Sequence, residues 1–201
     1  MPLLFLKANS LLLWLADETG KFAQFSSQFF RWISQKPIRW RLFFAQLNSI
    51  GVDSAPIIFL VSFFTGAVFA LQTGYAFRLF NAETLVGSTV GLSLTRELAP
   101  VFTALMVIAR MGSSMAAELG SMRVTEQIDA LETMAVNPYH YLVVPRVAAS
   151  VVMMPLLTML FNFIGMVGAY LVGVGLLDIP AGPFMNRMEY YVEPKDLFGG
   201  L

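Results

Sequence analysis

The sequence contains no cysteine and only one histidine, His140. The lack of cysteine excludes disulfide bonds, thiolate metal sites and cysteine nucleophiles. A single histidine also argues against a metal site built from imidazoles, because such sites need several ligands. No nucleophile is paired with a base in the pattern of a hydrolase. We therefore expect no metal site and no catalytic residue in this chain.

Charged residues are also scarce. Asp, Glu, Lys and Arg make up 13% of the chain, whereas a soluble domain carries about 25%. Hydrophobic residues make up 57%, and the mean hydropathy is +0.67. This composition predicts an integral membrane protein. The net charge is zero, so nucleic acid is not an expected partner.

A nucleotide-binding P-loop is absent as well. The only Gly-Lys pair, Gly20 and Lys21, is followed by Phe22 and lacks the earlier glycine that a P-loop requires. The chain is therefore not expected to hydrolyse ATP.

Three apolar runs are long enough to cross a bilayer as helices, for which about 20 residues suffice. They cover residues 55–77, 85–111 and 147–177. Residues 1–50 are amphipathic, with aromatic residues on one face and basic residues on the other, which favours an interfacial helix. Packing of this region on the protein's own spans is the alternative. The predicted fold is all-α and membrane-integral, with an N-terminal interfacial helix followed by a polytopic bundle.

Small residues recur every fourth position in each span, which is typical of closely packed membrane helices. The three series are Ser62, Gly66, Ala70 and Gly74; Gly87, Gly91, Thr95, Ala99 and Thr103; and Gly165, Ala169 and Gly173.

The second run carries Arg96 and Glu97 at its middle. A charge near the membrane midplane costs about 2.5–3.5 kcal/mol on insertion scales, so such residues face a polar cavity or a partner helix. Pro100 also removes the helical hydrogen bond to the carbonyl of Arg96. This favours a bend in the helix at that point. A buried ion pair that serves assembly alone is the competing interpretation.

Basic residues are concentrated on one side of the predicted spans. Six lie in residues 1–54 and three in 110–146, against one in 78–84 and two in 178–196. The positive-inside rule then places the N-terminus and the 110–146 connection in the cytoplasm. The segment 178–196 would lie on the outer side, where it contacts a partner or caps the bundle.

The connection 112–138 contains two apolar series that are out of phase near residues 125–127, which predicts two short helices or one bent helix. Acidic residues outnumber basic ones there, so anionic headgroups would repel this segment. Its apolar stripe therefore serves a protein contact, with either the bundle or a separate subunit.

Residues 92–150 read LSLTRELAPVFTALMVIARMGSSMAAELGSMRVTEQIDALETMAVNPYHYLVVPRVAAS. This segment closely resembles the signature region of the MlaE/YrbE permeases, the membrane subunits of ATP-binding cassette (ABC) lipid transporters that work with MCE-domain proteins. A weaker resemblance extends over residues 40–200 and includes FALQTG at Phe69–Gly74 and LVGVG at Leu171–Gly175.

The resemblance implies a homodimeric permease domain, here 51–201, with five spans in the complete family fold. Two C-terminal spans would then be missing from this chain. It also implies that 112–138 is a coupling helix that docks on a cytoplasmic ATPase. The residues that would carry the coupling are Glu118, Arg123, Glu126 and Asp129.

The implied partners are an ABC ATPase holding ATP and Mg²⁺, an MCE-domain protein, a small STAS-domain regulator and phospholipid, while this chain itself needs no cofactor. The implied location is the bacterial inner membrane, and the implied role is to maintain outer-membrane lipid asymmetry. The paired second spans would line a lipid cavity at the dimer axis. Its candidate residues are Phe69, Leu71, Phe77, Leu94, Arg96, Glu97, Leu98 and Val101. The alternative is an ion- or proton-coupled secondary transporter or a channel that uses Glu97.

Overall fold

The computed structural model describes residues 2–33 and 39–200, and within them every regular element is a helix. Three helical stretches are long and apolar enough to cross a membrane: Trp40–Arg78, Glu83–Val124 and Tyr139–Gly175. The prediction of an all-α membrane protein with three visible spans is confirmed. The first half of the chain contains α1 (Pro2–Ile33), α2 (Trp40–Leu47), α3 (Ala55–Arg78), α4 (Val86–Ser93) and α5 (Ala99–Val107). The second half contains α6 (Ser113–Val124), α7 (Gln127–Thr133), α8 (Val144–Gly175), α9 (Ala181–Tyr191) and α10 (Pro194–Gly199).

Helices α3 and α8 form the central contact of the bundle. Gly66 lies directly against Gly165, where a Cβ on Gly66 would overlap the carbonyl group of Gly165. Further along both helices, Gly74 lies against Leu177. The two helices are therefore parallel, which requires the span between them to return in the opposite direction.

All the small residues of the three predicted series are buried in the structure. They let backbones approach closely, and close packing is what holds helices together where lipid removes the hydrophobic incentive. Large side chains such as Phe64 and Phe163 lie exposed on the outer faces. In a membrane, these faces contact lipid.

The second span is interrupted by π-helical turns at Leu94–Leu98 and Ile108–Gly112. In the first, the amide of Ala99 bonds to the carbonyl of Leu94. Pro100 supplies the cause, because it cannot donate to the carbonyl of Arg96. Pro145 follows another π-turn, Tyr139–Val143, at the same spacing. The irregularity at Pro100 is thus a π-turn, a feature that is frequent at functional sites.

The N-terminal region differs in part from the interfacial prediction. Helix α2 leads through a π-turn at Asn48–Val52 into α3, and its Phe43 and Leu47 pack against the core. Trp40 and Phe44 on its other face are exposed. Helix α2 therefore packs on the bundle with one face and leaves aromatic rings exposed on the other, while its interfacial position stays a prediction. The membrane position of α1 stays a prediction. Pro37, which separates the two amphipathic patterns, lies outside the described residues.

Candidate lipid groove and coupling hairpin

Arg96 projects from the π-turn of the second span and binds Asp196 on α10. Its Nη2 and Nε atoms donate to Oδ1 of Asp196 at 2.7 and 2.9 Å. The Asp196 side chain is 5% exposed, whereas that of Arg96 is 55% exposed. The Arg96 side chain is therefore partly exposed at the surface of the bundle, and the Asp196 carboxylate that it binds is buried.

Asp196 is positioned by its own helix. The backbone amide of Glu193 donates to Oδ2 of Asp196 at 3.1 Å, at the start of α10. Burial raises the pKa of Asp196, but the hydrogen bonds from Arg96 and the Glu193 amide outweigh burial, so its pKa lies below its ordinary value. Asp196 is therefore ionised at neutral pH and neutralises Arg96.

Glu97 is exposed and forms no ion pair within residues 2–33 and 39–200. Adjacent helical residues diverge by about 100°, which separates Glu97 from the Arg96–Asp196 pair. The partner of Arg96 is thus a residue that sequence reasoning missed. Asp196 lies a hundred positions downstream in a segment that we expected on the outer side, and nothing in its local pattern indicates a contact with Arg96.

The segment 178–196 does more than cap the bundle. Helix α9 packs along α4, where Gly87 lies against Phe184 and Gly91 against Met188. Helix α10 then reaches the π-turn, and Gly200 lies against the backbone of Thr95. The chain thus returns alongside the second span as far as its central charge.

An open groove of about 380 Å³ lies between α3 and the second span. Its lining is mainly aromatic and aliphatic, with two polar groups: Phe64, Thr65, Val68, Phe69, Gln72, Leu98 and Phe102. The volume falls within the range of about 300–1,000 Å³ that is typical of ligand pockets. Such a lining suits an acyl chain.

The candidate cavity residues do not all lie in this groove. Phe69 and Leu98 line the groove. Val101, three residues after Leu98, is 55% exposed but is not among the lining residues. Leu71 and Phe77 are half-buried and do not line the groove. Leu94 requires a correction, because it is fully buried and lies against Gly165. In this arrangement it is a packing residue and does not contact a lipid tail.

A second groove, of about 450 Å³, lies between α8 and α9. It is lined by Met159, Asn162, Phe163, Met166, Met185, Met188, Glu189 and Val192. Asn162 is 3% exposed, and neither atom of its amide has a hydrogen-bond partner in the described part of the chain. The described residues therefore supply no interhelical hydrogen bond to Asn162.

Helices α6 and α7 form a hairpin beyond the second span. The turn between them falls at Thr125–Glu126, where Glu126 adopts the left-handed conformation with φ of 58°. Arg123 and Asp129 lie 3.6 Å apart across the turn. The two helices and their break match the change of phase read from the sequence. Val124 is exposed beside this turn, and Met134 is exposed at the opposite end of α7.

Glu118 ties the hairpin to the third span. Its Oε2 accepts from Nη2 of Arg146 at 2.7 Å, and the Arg146 side chain is only 8% exposed. The other terminal nitrogen of Arg146 is buried without a partner among the described residues. Of the four coupling candidates, Glu118 therefore points to the bundle, Arg123 and Asp129 brace the turn, and Glu126 forms it.

A sequence profile described as Permease MlaE matches residues 43–201 of this chain. The chain belongs to the MlaE permease family. The match covers the bundle from α2 onward, including the groove, the Arg96–Asp196 pair and the hairpin. The resemblance that we identified from residues 92–150 is thereby confirmed.

Individual MlaE relatives agree with this assignment. A protein of Rickettsia bellii named probable ABC transporter permease protein is 44% identical over 93% of this chain and 72% of its own length. The intermembrane phospholipid transport system permease protein MlaE of Haemophilus influenzae is 46% identical over 72% of this chain and 55% of its own length. TRIGALACTOSYLDIACYLGLYCEROL 1, a chloroplastic protein of Arabidopsis thaliana, is 34% identical over 82% of this chain and 47% of its own length.

Each of these relatives extends beyond the part that aligns with this chain. The five-span and homodimer expectations therefore stay predictions. The ABC permease assignment and the multi-pass membrane character rest on the family and on the three apolar helices.

Proposed function

We propose that this chain is the permease subunit of an ABC transporter that moves phospholipid between the inner membrane and an MCE-domain partner. The printed name of the Haemophilus relative supports phospholipid as the cargo. The structural observation that best supports this proposal is the apolar groove beside α3, which Phe69 and Leu98 line.

Such a groove has a clear energetic purpose. Removing acyl chains from a bilayer costs about 0.8 kcal/mol per methylene group, or roughly 20–25 kcal/mol for two ordinary tails. A sheltered apolar surface must replace most of that contact. We propose that two copies of the chain bring their second spans together and that the exposed Glu97 and Val101 then border the cavity. Arg96 and Asp196 would lie near the polar end of the lipid.

We further propose that the α6–α7 hairpin docks on a cytoplasmic ATPase, which holds the ATP and Mg²⁺. Exposed Val124 and Glu126 provide an apolar and acidic tip, and Met134 adds an exposed apolar residue at the far end of α7. The Glu118–Arg146 ion pair connects this hairpin to the third span, so a movement of the hairpin would be transmitted into the bundle. This arrangement requires the N-terminus in the cytoplasm, as the positive-inside rule predicts.

The wider setting is proposed on the family alone. It includes the inner membrane as the location, a STAS-domain regulator as a further partner, and maintenance of outer-membrane lipid asymmetry as the physiological result.

The decisive experiment measures lipid transfer in proteoliposomes that contain the complete transporter, with its ATPase and its MCE-domain partner. We expect a fluorescent phospholipid to move between vesicle and partner only when ATP is hydrolysed. Transfer that proceeds without ATP hydrolysis but follows an imposed proton or ion gradient would instead establish the secondary transporter that uses Glu97. Absence of transfer under both conditions would contradict both functions.

A further inference from the structure

A cavity that contains two arginines lies apart from the lipid groove, at the start of the first span. It has a volume of about 680 Å³ and is lined by Arg39, Trp40, Arg41, Leu42, Ala45 and Tyr141. Residues from α2 and from the π-turn before α8 meet here. This is the end of the bundle at which the coupling hairpin also lies.

Within the described residues, no acidic group neutralises the positive charge of this cavity. Neither Arg39 nor Arg41 forms an ion pair in the described part of the chain. The Arg39 guanidinium carbon lies 4.6 Å from the centre of the Tyr141 ring, which holds it in place by a cation–π contact. Its Nε is buried and has no hydrogen-bond partner among the described residues. Arg39 and Arg41 both line the cavity, where their guanidinium groups can donate to a ligand that supplies acceptors.

The surface next to the arginines is apolar. Trp40 and Phe44 are 58% and 60% exposed, and their rings stack with centroids 6.2 Å apart. Exposed aromatic rings beside basic residues mark the headgroup level of a spanning protein. A ligand that fits both parts has a phosphate for the guanidinium groups and a tail for the rings.

We infer that this cavity binds the headgroup of an anionic phospholipid that stays with the protein as the transported lipid passes elsewhere. A zwitterionic headgroup fits less well, because its ammonium group would meet the same two arginines. The bound lipid would fix α2 and the Tyr139–Val143 turn to the membrane surface. Basic pockets at this level are recognised sites for anionic headgroups.

Native mass spectrometry of the full chain in detergent tests this inference, with phosphatidylglycerol and phosphatidylcholine as the added lipids. We expect tighter binding of phosphatidylglycerol. Removal of each arginine should weaken phosphatidylglycerol binding about fivefold, because the attraction of one basic residue for an anionic surface corresponds to about this factor in affinity. The variant Arg39→Gln/Arg41→Gln should therefore lose about 25-fold in affinity. The matched control Lys21→Gln/Arg31→Gln loses the same charge from α1 and should change affinity less than about twofold.

Arg41→Gln alone guards against misfolding, because Arg41 is exposed and forms no ion pair in the described residues. Three outcomes would each overturn the inference. They are equal affinity for both lipids, equal loss of affinity in the two double variants, and unchanged affinity in both Arg41→Gln and Arg39→Gln/Arg41→Gln. Inorganic phosphate provides the last comparison. It should fail to displace the lipid, because it cannot contact Trp40 and Phe44, and displacement would assign the cavity to a soluble phosphate ester instead.

Discussion

At Gly66 and Gly165 the backbones of α3 and α8 are in direct contact, and a single methyl group tests this packing. Gly66→Ala places a Cβ on the carbonyl of Gly165, which backbone movement alone can relieve. Overpacking of this kind costs about 1–3 kcal/mol. We expect Gly66→Ala to lower the free energy of unfolding by this amount, measured by denaturation in detergent.

Gly120→Ala is the matched control. Gly120 lies in exposed α6, and an added Cβ would have nothing within 4 Å. Alanine favours a helix over glycine by about 1 kcal/mol, so this variant should be neutral or slightly more stable. Equal destabilisation of both variants would contradict the close α3–α8 packing.

The Arg96–Asp196 pair has a pH dependence of definite sign. In the folded chain, the pKa of the Asp196 carboxyl group lies below the ordinary aspartate pKa, which is about 3.9. The pair therefore contributes fully above that value and is lost as the pH falls through the lower, folded value. We expect a spin label at Gly199→Cys, in otherwise cysteine-free protein, to stay immobile at neutral pH and to become mobile only at a pH below the ordinary pKa of an aspartate side chain.

The variant Gly199→Cys/Asp196→Asn removes the titrating group at that contact. Its label should be more mobile at neutral pH and should lose most of the acid transition. A label that responds to acid identically with and without Asp196 would show that another group controls α10.

At the scale of whole elements, sequence periodicity predicted the features that depend on neighbouring residues in the chain. The three spans are apolar over the required length, and the break at residues 125–127 follows from two apolar series that do not share a phase. The type of irregularity at Pro100 was less accessible. A missing amide predicts a disturbed helix, but whether the chain responds with a bend or a π-turn depends on packing around Leu94 and Thr95.

The return of α9 and α10 along the second span was not predictable. Their contacts join residues about a hundred positions apart, and no periodicity reports that separation. Because the chain contains no cysteine, an engineered pair tests this packing without background. We expect Gly91→Cys/Met188→Cys to form a disulfide on mild oxidation, because a Cβ on Gly91 would lie 3.0 Å from Cγ of Met188 and a disulfide needs Cβ atoms about 3.5–4.5 Å apart.

Gly91→Cys/Tyr190→Cys should remain reduced, since Tyr190 is 78% exposed on α9. Electrophoretic mobility with and without reductant distinguishes the two outcomes. If both pairs cross-link to the same extent, α9 is not fixed against α4.

The coupling hairpin is held to the third span by Glu118. Replacing it by glutamine leaves the Arg146 guanidinium buried without a counter-charge, which should cost about 1–2 kcal/mol because Glu118 itself is partly solvated. We expect Glu118→Gln to lower thermal stability and to uncouple ATP hydrolysis from lipid transfer in proteoliposomes. Glu132→Gln removes the same charge from an exposed site without an ion pair in the described chain and should leave both measurements unchanged.

Considered as a whole, the molecule divides its surfaces by chemistry. Small residues face inward, large side chains such as Phe64 and Phe163 lie on the outer faces, one apolar groove opens beside α3, and the charged groups gather at the ends and at the π-turn of the second span. The sequence predicted the groove only in part. Phe69 and Leu98 lie in it, but Leu94 does not, because helical spacing alone cannot show which face a neighbouring helix covers.

The proposed cavity also predicts how lipid contact depends on transport. Val68 lines the groove and is 49% exposed, whereas Val151, on α8, is 67% exposed and lies outside it. Both contact lipid in a membrane, but only the groove should change its lipid content when the ATPase turns over. We expect a photocrosslinking amino acid at Val68 to capture phospholipid in amounts that change severalfold on addition of ATP to the complete transporter, while the same group at Val151 captures a constant amount. Capture at Val68 that ignores ATP would place the transport pathway on another face of the bundle.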